Sequence, residues 1–167
     1  MALCTMILLD PDLDPDPTPP AKRPSVRALN GFLARAQAAV RLRGMVTVLL
    51  TTDSALRALN RRFRGKNKPT DVLSFPAVPS GPEKVAGDLA ISVHTAQKQA
   101  EEQGHTLNIE LQVLMLHGLL HLAGYDHEAD DGRMARRERQ LRARLGLPLG
   151  LIERVDGAAP RKRRRTQ

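Results

Sequence analysis

The pattern of hydrophobic and polar positions predicts strands and helices mixed along the chain. Short apolar and β-branched runs predict strands at 3–9, 46–50, 72–75 and 87–92. Apolar positions that recur every three or four residues predict helices at 25–43, 54–62 and 134–145, and one long apolar helix that begins at 107 or 108. The polar segment at 95–103 predicts a further helix, which Gly104 is expected to end. Because the elements mix without strict alternation, we expect an α+β fold, in which helices pack against a small mixed β-sheet.

Local signals predict how some of these elements end and pair. Gly44 is expected to end the first helix, and Thr52 or Asp53 to cap the second. The inward face of that second helix is expected to consist of Leu56, Leu59 and Phe63. The loop between the strands at 72–75 and 87–92 most simply makes them an antiparallel pair.

Two segments stand apart from this pattern by their composition. Residues 10–20 contain four Asp and five Pro, which favours an exposed loop. The basic run 161–165 lies near the C-terminus, after the last predicted helix. We therefore expect a single domain at 1–150 and a flexible basic tail at 151–167.

Composition and charge narrow the class of protein. Hydrophobic residues make up 41% of the 167 residues but aromatic residues only 2%, so the core must be mainly aliphatic. The scarcity of aromatic residues also argues against an aromatic base-stacking platform. The net charge of +8, to which the tail contributes strongly, favours a polyanionic partner. A single cysteine excludes an intrachain disulfide, and no apolar run has the length of a membrane span. We expect a cytoplasmic protein with no membrane partner.

Three histidines in and after the long apolar helix have the spacing of metal ligands. His117 and His121 are four residues apart, so a helix places both imidazoles on one face. Gly124 can adopt the left-handed conformation that ends a helix, which lets the chain bring His127 back toward them. Three protein ligands leave a fourth position of zinc open for water, as in catalytic sites. The spacing thus predicts a catalytic site for one zinc ion.

The alternative is that these histidines are ordinary core or surface residues. Three of the five histidines in the chain fall at this one spacing, however, and a buried helix gains nothing from imidazoles whose nitrogens are not satisfied. His94 and His105 have no such neighbours, and for them we expect a purely structural role.

The spacing His-x3-His-x5-His also occurs in metzincin proteases. Those enzymes carry a glutamate directly after the first histidine as the general base, and here that position is Gly118. A basic loop at 61–71 has five cations and ends against a predicted strand, from which it could contact phosphates. The missing base and this loop favour a nucleic acid over a peptide substrate.

Three motifs in unbroken order resemble the YbeY endoribonucleases, also called rRNA maturation factors. The motifs are the histidine segment at 117–127, the stretch at 63–76 from Phe63-Arg64-Gly65-Lys66 to Ser74-Phe75-Pro76, and Gly87-Asp88-Leu89-Ala90-Ile91. The resemblance covers about 46–147, and neither the Pro/Asp-rich segment nor the tail belongs to it.

This resemblance implies a single-strand-specific, metal-dependent endoribonuclease. Its expected role is maturation of the 3′ end of small-subunit rRNA and ribosome quality control, with ribosomal RNA and the ribosome or small-subunit proteins as partners. His117, His121 and His127 match the zinc ligands of the family, and Arg64 matches its functionally important arginine. Zinc lowers the pKa of a water molecule, and Arg64 can bind a phosphate oxygen and stabilise transition-state charge. Lys66 and Lys68 are expected to add affinity for the RNA backbone.

Two other interpretations remain open from the sequence. One is a metallohydrolase with another substrate, including a protease whose base lies elsewhere in the chain. The other is a non-catalytic RNA-binding ribosome-assembly protein with a structural metal. Three histidine ligands and an open position would distinguish a catalytic site from a structural site with a fourth protein ligand.

Overall fold

The computed structural model describes residues 5–13, 23–78 and 84–148, so the tail expected at 151–167 lies outside the described residues. The strands are β1 (Thr5–Leu9), β2 (Met45–Thr51), β3 (Val72–Pro76) and β4 (Val85–Ser92). The helices are α1 (Val26–Val40), α2 (Asp53–Arg64), α3 (Val93–Gln103), α4 (Leu107–Leu122) and α5 (Arg133–Leu145). This is the expected α+β class.

The four strands form one mixed sheet in the order β1-β2-β4-β3. β1 and β2 are parallel, as are β2 and β4, whereas β3 runs antiparallel to β4 as the sequence predicted. β3 is therefore an edge strand. Its partner β4 is central and leads directly into α3, whose first turn is capped by the Ser92 side chain at 3.1 Å from the Thr95 amide.

The main core lies on one face of this sheet. Leu89 and Ile91 of β4 are fully buried there among residues of α1, α4 and α5. Ala90 points to the opposite face, because successive side chains of a strand alternate, and it packs with Leu56 of α2 and Leu73 of β3. Consequently α4 and α2 cover opposite faces of the same two strands.

α4 is the buried central helix of the domain. Its residues are apolar on nearly all sides, and most are buried, which is the pattern of a helix enclosed by other elements. The Thr106 hydroxyl accepts a hydrogen bond from the Ile109 amide at 3.3 Å and fixes the start of the helix. Among the described ranges, no helix is long and apolar enough to cross a membrane.

Three local predictions were wrong. α1 ends at Val40, where Arg41 takes a left-handed conformation (φ 65°) and donates its amide to the Ala38 carbonyl at 3.1 Å, so Gly44 is not its last position. α2 continues through Arg64 to a cap at Gly65, so 61–64 belong to a helix and not to a loop. Phe63 is 58% exposed and not in the core.

Candidate metal centre

The C-terminal end of α4 brings the three predicted ligands together. His117 and His121 lie one turn apart in the helix, and Gly124 has φ +90°, the left-handed conformation that the sequence predicted. The chain then turns back, so that the ring centre of His127 lies 5.4 Å from that of His117 and 5.3 Å from that of His121. The three imidazoles thus converge on one point.

The convergent nitrogens fit a metal ion. One ligand atom from each histidine lies within 4.8 Å of the others, and the Nε2 atoms of His117 and His121 are 3.2 Å apart. Zinc–nitrogen bonds of 2.0–2.1 Å in tetrahedral geometry require nitrogens about 3.4 Å apart. The two Nε2 atoms are already close to that separation, so these histidines can hold a metal ion.

A buried carboxylate fixes the orientation of His117. Nδ1 of His117 lies 3.0 Å from Oε2 of Glu138 on α5, and Glu138 is 1% exposed. A carboxylate only accepts hydrogen bonds, so Nδ1 carries the proton and Nε2 presents its lone pair to the other histidines. Metal-bound histidines commonly have such a carboxylate partner.

An arginine holds this carboxylate in turn. Arg142 Nε donates to Oε1 of Glu138 at 3.0 Å, and its Nη1 donates to the Pro148 carbonyl just beyond α5. Arg142 is 2% exposed, and its charge compensates that of the buried glutamate. The site is therefore supported by a chain of contacts from His117 to the C-terminal end of α5.

Glu138 and Arg142 were not predicted from the sequence, because α5 has the composition of a solvated helix, rich in arginine and glutamate. Only the position of Glu138 along the helix indicated a buried role. Glu138 lies four residues after the buried Met134 and three before the buried Leu141, on the face that packs on the core. A charged residue on the apolar stripe of a helix requires a buried partner.

The histidines differ in their exposure, which gives the site an open side. His117 is buried, His121 is half-buried and His127 is exposed. Burial lowers the pKa of His121, and the neighbouring His117 and His127 lower it further, against opposing effects of the Tyr125 backbone and Asp126. His121 is therefore neutral near pH 7, the form that ligates a metal.

The absence of a side chain at position 118 has a packing reason. A Cβ atom on Gly118 would lie 2.7 Å from Cδ2 and 2.9 Å from Cδ1 of Leu89, which is fully buried in β4. α4 can approach the sheet this closely only without a side chain at that point. The position where a metzincin carries its catalytic glutamate is thus occupied here by the contact between helix and sheet.

The predicted substrate-binding residues lie on the other side of the sheet. Arg64 is the last residue of α2, and Lys66 and Lys68 follow its cap; all three are exposed. Asn60, which is 3% exposed, donates its side-chain amide to the Lys68 carbonyl at 2.9 Å and so holds this basic segment against α2. The segment therefore has a defined position on the fold.

Both groups lie near the same end of the sheet. Phe63 precedes Arg64, and the centre of its ring lies 5.3 Å from the centre of the Phe75 ring, near the end of β3. On the other face, a Cβ atom on Gly87 near the start of β4 would lie 2.7 Å from Cδ2 of Leu122, the last residue of α4. The basic segment and the histidines thus flank the edge strand β3 from opposite faces.

His105 has the structural contact expected of it. Its Nε2 forms a hydrogen bond with Oε2 of Glu110, whose side chain is fully buried in the first turn of α4. The histidine thereby satisfies a buried carboxylate far along the helix from His121. His94 is exposed at the start of α3.

Comparison with known proteins gives a consistent answer. A family model described as "Endoribonuclease YbeY" matches residues 22–146. "Endoribonuclease YbeY" of Koribacter versatilis is 53% identical over 144 residues, which cover 84% of this chain and 93% of that protein. The Solibacter usitatus protein of the same name is 54% identical over 128 residues, covering 77% and 84% of the two chains.

A solved structure matches the fold as a whole. The solution structure of TM1509 from Thermotoga maritima has a TM-score of 0.52 and covers 97% of this chain and 99% of its own, at 23% identity. At that identity the match bears on the fold alone.

Proposed function

The chain belongs to the endoribonuclease YbeY family, and on that premise we propose that it is a metal-dependent endoribonuclease that cleaves single-stranded RNA. The observation that carries the proposal is the convergence of His117, His121 and His127 on one point, with the buried Glu138 behind them. We further propose zinc as the ion, because three imidazoles are a common ligand set for catalytic zinc.

The ligand count supports a catalytic over a structural metal. In the ranges 5–13, 23–78 and 84–148, the cluster of candidate ligands contains the three histidines and no fourth His, Cys, Asp or Glu. Structural zinc sites usually close their tetrahedron with four protein ligands. The open position and the exposure of His127 leave room for an RNA strand, which argues against a purely structural ion.

The residues of the chain would divide the work as follows. A bound metal ion supplies Lewis acidity, which polarises the phosphodiester and lowers the pKa of water. Glu138 keeps the Nε2 lone pair of His117 directed at the ion. Arg64 would hold a phosphate oxygen through parallel hydrogen bonds and stabilise the charge that develops there. Lys66 and Lys68 would add backbone affinity without reading sequence.

The edge strand explains how one RNA molecule could contact both groups. Arg64 lies on the α2 face of the sheet and the histidines on the α4 face, with β3 between them. An extended single strand that passes around this edge can meet both, whereas a rigid duplex fits such a bend poorly. This geometry supports a preference for single-stranded RNA.

The biological setting is also part of the proposal. We propose that the substrate is ribosomal RNA, matured at the 3′ end of the small-subunit species and monitored in ribosome quality control, and that the protein meets it in the cytoplasm on the ribosome or with small-subunit proteins. The family name and the basic character of the chain support this assignment.

Cleavage of defined RNAs tests the enzymatic proposal. Wild type, His117→Ala and Arg64→Ala proteins are incubated with a single-stranded RNA and with its duplex, and the product ends are mapped. We expect wild type to cleave the single strand, His117→Ala to be inactive, and Arg64→Ala to lose 10²–10³-fold in rate, about the loss on removing one transition-state donor. Equal cleavage by all three proteins would refute the proposal.

A further inference from the structure

A groove on the outer face of α2 is lined by positive charge and lies apart from the residues assigned above. It has a volume of about 200 Å³ and is lined by Ser54, Arg57, Ala58, Arg61 and Asn67. The four helical residues fall at i, i+3, i+4 and i+7, so they form one continuous stripe. Asn67 reaches the stripe because Asn60 holds the following Lys68 against the helix.

The two guanidinium groups in this groove have no carboxylate partner among the residues that the structure describes. Asp53, the acidic residue of α2, instead accepts hydrogen bonds from the hydroxyls of Ser92 and Thr95. Asp71, after the basic segment, accepts from the Gln99 amide at 3.0 Å. The carboxylates of Asp53 and Asp71 are thus hydrogen-bonded to other residues, and they do not neutralise the positive charges of Arg57 and Arg61.

Stabilisation of the helix does not account for both arginines. Cations in the last turn offset the partial negative charge at a helix C-terminus, and this accounts for Arg61 and Arg64. The effect falls off within that turn, and Arg57 lies two turns before the end. Arg57 instead lines the groove together with Arg61 one turn later, so that both guanidinium groups can donate to phosphate oxygens there.

We propose that this groove binds a backbone phosphate of the RNA substrate, upstream or downstream of the phosphate held by Arg64. The inference rests on the proposed function and extends it along the strand. Arg57, Arg61 and Arg64 lie on one side of α2, and Arg57 stands seven positions before Arg64, about 10 Å along the helix axis. A strand that enters over Arg57 is therefore guided along α2 toward the edge strand β3 and the histidines.

Such a subsite predicts specific effects on KM and on the salt dependence of RNA binding. It binds ground state and transition state alike, so its removal raises KM and leaves kcat unchanged. Each phosphate of a single strand that the protein no longer neutralises lowers the magnitude of the slope of log K against log salt by about 0.7. Removal of both arginines releases the one phosphate of this groove, so the slope decreases by about 0.7 and the affinity deficit shrinks about 2.6-fold between 50 and 200 mM salt.

The test compares Arg57→Ala/Arg61→Ala with a control that removes the same charge. Arg27 and Arg144 are exposed on α1 and α5, outside the groove, and Arg27→Ala/Arg144→Ala supplies that control. Binding of a fluorescent single-stranded RNA is measured by anisotropy across a salt series, and cleavage kinetics on the same RNA. All four arginines are exposed, so the melting temperatures should match wild type.

We expect the groove variant to show the stated decrease in slope and a raised KM, whereas the control changes little. Arg57→Lys/Arg61→Lys should keep most of the slope, because the charge is retained. Identical slopes and KM values for the groove variant and the control would overturn the subsite while leaving the enzymatic proposal intact. A wild-type protein that neither binds nor cleaves the RNA would overturn both.

Discussion

Replacement of Glu138 tests the link between the buried interior of α5 and the metal centre. The carboxylate contacts Nδ1 of His117 at 3.0 Å and Nε of Arg142 at 3.0 Å, and both Glu138 and Arg142 are at most 2% exposed. Glu138→Ala removes the compensating charge from a buried guanidinium. Breaking a buried pair in this way costs about 3–5 kcal/mol.

The same substitution should weaken metal binding separately from folding. Without the carboxylate, nothing on α5 selects the tautomer and ring orientation of His117. Loss of such an outer partner costs about 10–100-fold in metal affinity, which corresponds to about 1.4–2.7 kcal/mol. Glu138→Gln keeps the volume and an acceptor oxygen for His117 but loses the charge, so we expect a smaller loss in both quantities.

Two measurements separate these effects. Urea unfolding of the proteins after removal of metal by a chelator gives the change in the free energy of unfolding. Competition with a chromophoric chelator gives the affinity for zinc. Glu102→Gln, which changes an exposed carboxylate on α3, should stay within about 0.5 kcal/mol of wild type. If Glu138→Ala has the same free energy of unfolding and the same affinity for zinc as wild type, the support that we assign to α5 is refuted.

Three further predictions concern packing, pH and the ion. Gly118→Ala should destabilise the protein by about 1–2 kcal/mol in urea unfolding, because the new Cβ overlaps the buried Leu89 side chain and this outweighs the gain in helix propensity; a more stable variant would contradict the close packing. Burial raises the pKa of Asp53, but hydrogen bonds from Ser92 and Thr95 outweigh it and hold that pKa below its ordinary 3.8. The advantage of wild type over Asp53→Asn should therefore be complete above pH 3.8 and vanish as pH falls through the lower folded value, and a pH-independent difference in unfolding would contradict this. Chelation should abolish cleavage and lower the melting temperature of wild type but not that of His121→Ala; equal shifts would place the ion elsewhere.

The fold was predictable wherever a local pattern decides the structure. The strand β2 follows from a β-branched and apolar run, and the helix α3 from a polar segment closed by Gly104. The antiparallel pairing of β3 with β4 follows from the length of the loop between them. The exposure of Phe63 did not follow, because helical spacing cannot show how far a sheet extends beneath the helix. β3 is an edge strand, and Phe63 in the last turn of α2 packs edge-on against the Phe75 ring of that strand.

The convergence of the histidines was predictable for the same reason, since helix spacing and the left-handed Gly124 are local. The support behind them was not, because Glu138 lies 21 residues from His117 and only the packing of α5 on α4 brings them together. The close approach of Gly118 to Leu89 is likewise a tertiary contact. Sequence alone shows that a base is absent there, and the structure shows why.

The central claim is that His117, His121 and His127 hold one ion that RNA cleavage requires. Its most direct test is a titration of zinc into the metal-free protein while cleavage of a single-stranded RNA is followed. We predict activity that rises with zinc and saturates at about one equivalent per chain in wild type, with none at any zinc concentration in His121→Ala. Full cleavage by the metal-free protein, or by His121→Ala, would contradict the claim.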